Sequence, residues 1–172
     1  MESREVTLGQ LLESRDRRQA LQRELLASHP RLTLLVFTVV MPGSVKRNDS
    51  TQVIAQAGMQ ALDEAFRGAV VDRFVHDEST GFEGWYLLDM PEDEAKRVAV
   101  GIEDRHPLGR LMDIDVIRHD GTPMLRHDIG HGGRKCLMCD CEAHMCMRLR
   151  RHPIHELQSR ITRMVEDYVQ GV

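Results

Sequence analysis

Leu32-Thr33-Leu34-Leu35-Val36-Phe37-Thr38-Val39-Val40-Met41, closed by Pro42-Gly43-Ser44, is the stretch that decides the fold. Its ten residues are about half of what a bilayer-spanning helix needs, and too few for a buried helix. Rich in Leu, Val and Thr, it reads as a central strand. After the Pro-Gly break, Asp49 or Ser50 can cap a helix running to about Phe66, with Val53, Ile54, Ala57, Ala61, Leu62 and Ala65 on one face. Ala69 to His76 and Phe82 to Asp89 then read as a hairpin around Glu78-Ser79-Thr80-Gly81. Pro91-Glu92-Asp93-Glu94 opens a second helix that ends near His106-Pro107, and Leu111 to Arg118 alternates apolar and charged residues as a half-buried strand does. Asp120-Gly121 joins it to a candidate partner strand at Pro123 to His127.

From Leu32 onward the order is therefore β-α-β-β-α-β, which predicts an α+β fold with a ferredoxin-like core, a mainly antiparallel sheet carrying helices on one face. A nucleotidyltransferase-like α/β fold is the alternative. Upstream, Thr7 to Ser28 reads as a helix with Leu8, Leu11, Leu12, Leu21, Leu25 and Leu26 at helical spacing; Arg15 and Arg18 fall where that stripe should continue. Downstream of Gly130-His131-Gly132-Gly133 come a Cys-rich element at 134–152 and a last amphipathic helix at 153–169. The 172 residues, 41% hydrophobic and 29% charged, suit one catalytic domain spanning 1–172. Met1-Glu2-Ser3-Arg4-Glu5 lacks the basic-then-apolar pattern of a secretory signal, so a cytoplasmic protein without a membrane span is expected.

Three constellations carry chemistry. In His106-Pro107-Leu108-Gly109-Arg110-Leu111-Met112-Asp113-Ile114-Asp115-Val116, a strand would point Asp113 and Asp115 to the same side. Paired carboxylates repel unless a cation separates them, and a hard oxygen site suits Mg²⁺ or Mn²⁺. Glu103 can complete the cage, His106 can serve as a base, Gly109 permits close backbone approach and Arg110 offers a forked phosphate donor. The same pattern also fits a solvent-facing acidic pair on an edge strand. The turn Pro42-Gly43-Ser44-Val45-Lys46, between strand and helix, offers backbone N–H groups around Gly43 and the Lys46 ammonium to a triphosphate, although it lacks the Walker spacing. Finally, all four cysteines lie within eleven residues. Cys136, Cys139, Cys146 and His152 have the types and spacing of a closed structural Zn²⁺ site, with Cys141 and His144 as rival ligands.

Charge is uneven. The chain carries −4 overall, yet Arg134 to Arg163 holds seven basic residues against three acidic ones. That suits an acidic or phosphate-bearing partner. A small zinc-bearing module binding RNA or an acidic protein would use this surface too, but it leaves the aspartates idle, and 4% aromatics provides few stacking platforms for nucleic acid.

Ser14-Arg15-Asp16 with Arg18-Gln19, Phe37-Thr38-Val39-Val40 with Pro42-Gly43 and Lys46, the His106 to Val116 run, and Arg134-Lys135-Cys136-Leu137 with Cys139, Cys146 and Arg148 together resemble the CitX-like family. Its members are apo-citrate lyase phosphoribosyl-dephospho-CoA transferases, also called citrate lyase holo-acyl-carrier-protein synthases. The resemblance runs from about Leu11 to about Ile161 and is weak over Phe66 to Ala95, where it carries over no site residue. It implies a nucleotidyltransferase that attaches the 2'-(5''-triphosphoribosyl)-3'-dephospho-CoA group to a serine of the acyl-carrier subunit of citrate lyase, releasing pyrophosphate. In that reaction Asp113 and Asp115 would hold the metal, and Arg15, Lys46 and Arg110 would meet the phosphates.

Overall fold

A computed structural model describes residues 4–171; the first three residues of the amino-terminal stretch and Val172 lie outside the described residues. The elements are α1 (Leu8–Ser28), β1 (Thr33–Val39), α2 (Asp49–Ala65), β2 (Val70–Glu78), β3 (Gly81–Leu88), α3 (Glu92–Arg105), β4 (Met112–Ile117), α4 (Ala143–Arg148) and α5 (Ile154–Gln170). Helix starts follow local chemistry. Thr7 and Gln10 form a reciprocal capping box on α1, and Asn48, one residue before the expected cap, does the same with Thr51 on α2. Pro91 and Pro153 precede α3 and α5, with acids in both first turns.

The four strands form one open sheet in the order β2-β3-β1-β4, every neighbouring pair antiparallel. Alternation along the strands splits the core in two. Leu35, Phe37, Phe82, Tyr86, Ile114 and Val116 meet residues of α2, α3 and α5 on one face, whereas Leu34, Val36, Trp85, Leu87 and Ile117 meet Leu25 and Leu26 of α1 on the other. The leucine stripe expected along all of α1 buries only its carboxyl-terminal part. Leu8 and Leu12 are exposed, and the middle of the helix is tied instead by Arg17 to Glu78 and Arg18 to Glu83.

The expected strand at Pro123 to His127 is absent. Pro123 makes a lone bridge to Ile117, Met124 N–H donates to the Val116 carbonyl, and the chain then turns through a short 3₁₀ helix, Arg126–Ile129. Two causes act together: proline has no N–H for a ladder, and the free edge of β4 is already taken by side chains of α3, described next.

Candidate functional site

Register places the two aspartates. On β4, Asp113 lies opposite Thr38 and Asp115 opposite Val36 of β1, while Ile114 between them is fully buried under the helices. Both carboxylates therefore project from the α1 side of the sheet, with 47% and 45% of their side chains exposed. Burial, then the charge of Asp113, pushes the Asp115 carboxyl up to about 6, with the Lys96 ammonium opposing.

The peptide groups of Ile114 face the open edge of the sheet, where α3 replaces a missing strand. Glu103 Oε1 accepts the Ile114 N–H at 2.9 Å, and Lys96 Nζ donates to the Ile114 carbonyl at 3.3 Å. Seven residues apart, these side chains share one helix face, and both are buried. Lys96 also lies 3.9 Å from Asp115, and Glu103 Oε2 accepts from Arg126 at 2.6 Å. Each buried charge thus has a partner, which such burial requires. The expected cage of Asp113, Asp115 and Glu103 is not what these contacts build: Glu103 is committed to backbone and Arg126, so it fixes the strand between the aspartates.

His106 Nδ1 accepts the Leu108 N–H at 3.0 Å, its ring lies 5.6 Å from that of Tyr168, and burial lowers its pKa. A neutral ring so held carries its proton on Nε2 and presents a donor there, not a base. Gly109 makes its close approach to α3. A Cβ on it would stand 2.5 Å from the Glu103 carbonyl oxygen and 2.6 Å from that of Ile102. Arg110 has its pKa lowered by burial, then by the charges of Arg134 and Arg126, and its buried Nε lacks a protein partner among the described residues. Arg134 Nη1 donates to Asp113 at 3.2 Å, and its Nη2 to the carbonyls of Gly109 and Met112.

Val40 N–H donates to the Leu111 carbonyl, so the 42–46 turn and the 106–111 segment meet the sheet at the same end. Gly43 takes φ +93°, a left-handed conformation, and a side chain there would also strike Gln158. Lys46 Nζ donates to the Met41 carbonyl at 2.5 Å, and its pKa is lowered by burial and then by the Arg15 guanidinium. The Lys46 and Arg15 charges are thus near enough to repel one another. Glu83 of β3 lies opposite Thr38, in the same transverse row as Asp113, and is salt-bridged to Arg18 at 2.6 Å.

Cys136, Cys139, Cys146 and His152 gather so that their donor atoms all lie within 4.8 Å of one another, a cluster that could hold a metal ion. Cys139 Sγ is 3.5 Å from both Cys146 Sγ and His152 Nε2. Burial, then the neighbouring Cys139 and Cys136 thiols, pushes Cys146 up to about 12, and a bound metal ion would favour its thiolate instead. Arg150, at φ 47°, turns the chain after α4 so that His152 returns to the sulfurs. Cys141 is exposed and accepts from Arg151 instead, and neither it nor His144 joins the cluster.

Sequence reading overlooked Lys96 and gave Arg134 no role of its own. For Lys96 there was a signal: with Val100 and Glu103 it puts two charges on the buried stripe of α3, where an unpaired charge is costly. Arg134 carried none beyond its place before Cys136.

The family profile described as CitX, apo-citrate lyase phosphoribosyl-dephospho-CoA transferase, matches residues 6–168. A "probable apo-citrate lyase phosphoribosyl-dephospho-CoA transferase" of Vibrio cholerae serotype O1 (strain M66-2) is 39% identical over 169 residues, covering 95% of this chain and 93% of that protein. An "apo-citrate lyase phosphoribosyl-dephospho-CoA transferase" of Escherichia coli O7:K1 (strain IAI39 / ExPEC) is 35% identical over 165 residues, covering 94% and 90%. One of Shigella boydii serotype 18, carrying the same description, is also 35% identical over 165 residues.

Proposed function

This chain belongs to the apo-citrate lyase phosphoribosyl-dephospho-CoA transferase family, and from that premise we propose how its residues perform the transfer. The substrate is the 2'-(5''-triphosphoribosyl)-3'-dephospho-CoA precursor, and the acceptor is a serine of the apo acyl-carrier subunit of citrate lyase. The serine oxygen forms a bond to the α-phosphorus of the triphosphate, the bond from that phosphorus to the bridging oxygen breaks, and pyrophosphate leaves with the electron pair.

The observation that carries this reading is the pair Asp113 and Asp115, half-exposed on one sheet face, with cations at the same sheet end. The pair fits Mg²⁺ or Mn²⁺: two hard oxygen donors two residues apart on a strand, one with its pKa raised by burial and then by the other. Such an ion supplies neutralisation of the charge gathering on the phosphoryl and leaving oxygens. Asp113 and Asp115 hold it. Lys46 and Arg15 on one side, and Arg110 with its unpartnered Nε on the other, are suited to bind the phosphates. Gly43 and Gly109 shape the two turns that carry these cations. Glu103 is engaged with Ile114 and Arg126, His106 Nδ1 with Leu108, and Asp113 Oδ1 with Arg134, so the serine proton is assigned to an aspartate oxygen outside these contacts.

Cys136, Cys139, Cys146 and His152 are assigned to Zn²⁺ on their donor types, three sulfurs and an imidazole. The antiparallel order β2-β3-β1-β4, with α2 and α3 as crossovers, supports assigning the core to the ferredoxin-like class, within one catalytic domain. No described helix is long and apolar enough to cross a membrane. The test is mass spectrometry of apo acyl-carrier subunit incubated with this protein, Mg²⁺ and the precursor. A gain equal to the phosphoribosyl-dephospho-CoA group on one serine is expected; an unmodified carrier overturns the assignment.

A further inference from the structure

The thiol cluster is mechanically tied to the aspartates. Arg134 stands two residues before Cys136, and its carbonyl accepts the Ala143 N–H at 2.8 Å. Lys135 bridges to Glu142, and the Cys136 N–H donates to the Cys141 carbonyl at 2.7 Å. Arg134 is therefore the first residue of the small hairpin that Cys136, Cys139 and Cys146 close. Its side chain runs the other way, into the site, giving one nitrogen to Asp113 and the other to the carbonyls of Gly109 and Met112, with only 22% of it exposed.

Beyond these backbone bonds and the partly buried Leu137, which packs against the main core, this hairpin has little apolar packing among the described residues. In α4 only Cys146 is fully buried; Met145 and Met147, and Leu149 just beyond, are 47%, 73% and 58% exposed. An element with so small an apolar core depends on a staple, and here the staple is the sulfur and imidazole cluster. Arg150 remains in a left-handed conformation, which is unfavourable for a non-glycine residue, on the turn that leads to His152.

We infer that the Cys136, Cys139, Cys146 and His152 centre, loaded with Zn²⁺, is a positioning device for catalysis, because it anchors the hairpin that holds the Arg134 guanidinium against Asp113. Arg134 is a positioning residue: it braces Asp113 and, through the Gly109 and Met112 carbonyls, the start of β4. The metal at the sulfurs is then required for turnover and not only for stability. This inference rests on the reading of Asp113 as a site residue.

The experiment uses the full chain and its R134Q variant, each with zinc content measured, before and after a zinc chelator under reducing conditions, with Mg²⁺ resupplied in excess. Removing a support of this kind costs about 10- to 100-fold in activity. Wild type is expected to lose that much kcat on stripping, to keep its strand and helix signal by circular dichroism, and to recover with added Zn²⁺. R134Q is expected to retain its zinc, start about 10- to 100-fold low, and fall less than about threefold further on stripping, since coupled effects do not add. R134K provides a second variant should R134Q fold poorly, because a lysine retains charge but not the forked contact. Full activity of stripped wild type, normal turnover of the Arg134 variants, or a further loss in the stripped variant as large as in wild type overturns the inference. Normal turnover of Asp113→Asn would instead overturn the aspartate reading beneath it.

Discussion

Replacing Gly109 by alanine tests how the strand bearing the aspartates is seated. The added Cβ would stand 2.5 Å and 2.6 Å from the carbonyl oxygens of Glu103 and Ile102, and 2.8 Å from the Glu103 carbonyl carbon. All three atoms are backbone in the last turns of α3, so no side chain can swing aside. Overpacking of this kind costs about 1–3 kcal/mol, and backbone obstruction puts Gly109→Ala at the upper end. For a chain of this size each kcal/mol lowers the melting temperature by about 2–4 °C, so a fall of roughly 4–10 °C is expected. Gly132→Ala is the control, because nothing lies within 4 Å of a Cβ there, and its effect should stay within about 0.5 kcal/mol. Urea unfolding midpoints and thermal melts of the two variants decide the matter. The shift must also pass into the site, since the Gly109 carbonyl accepts from Arg134, which in turn holds Asp113; transfer by the surviving folded protein should fall as well. A Gly109→Ala protein as stable as Gly132→Ala would refute the account of how α3 and β4 meet.

Asp115→Asn removes the charge facing the buried Lys96, which costs stability at every pH, so its test is the pH dependence of stability in the metal-free protein and not the value at one pH. A carboxyl whose folded pKa lies near 6, above its ordinary value, binds protons more readily in the native state, so native stability falls as pH rises through about 4 to 6, and the amide escapes that loss. The stability of the variant relative to wild type should fall as pH is lowered from 7 towards 4, and melts showing no such trend would contradict the environment assigned to Asp115. For the acceptor, reversing the exposed Arg148 and Arg160 to Glu should raise the apparent KM for the carrier protein while barely moving that for the small precursor, with added salt mimicking the change in wild type; Arg150 and Arg151 are left alone because one turns the chain towards His152 and the other donates to Cys141. A selective effect on the precursor would instead put those arginines in the nucleotide pocket.

Much of the architecture was legible because period and punctuation agreed. Leu32 to Met41 contains the central strand, the 78–81 turn marks the hairpin, and Pro91 marks the start of α3, each within a few residues of the structure. The strand expected at Pro123 to His127 was an error of context: whether an edge is free depends on Lys96 and Glu103, whose reach across β4 no local pattern displays. Glu103 was expected beside a metal for the same reason, since sequence places it near the aspartates but cannot say which atoms it meets first. The outward leucines at Leu8 and Leu12 show a helical repeat outrunning the surface available to cover it. Spacing marked Cys136, Cys139, Cys146 and His152 but left Cys141 and His144 as rivals, and it took the folded chain to separate them, as it did to show the link from Arg134 to Asp113.

The most direct test of the central claim is the single-turnover rate of carrier modification, followed by mass, in Asp113→Asn and Asp115→Asn set against wild type. Each change removes a negative charge proposed to hold the metal while leaving the Ile114 contacts to Lys96 and Glu103 in place. Both variants are expected to melt as folded proteins and to lose roughly two to four powers of ten in rate, the scale of removing a principal charge-stabilising group. Near-normal modification by both would contradict the claim.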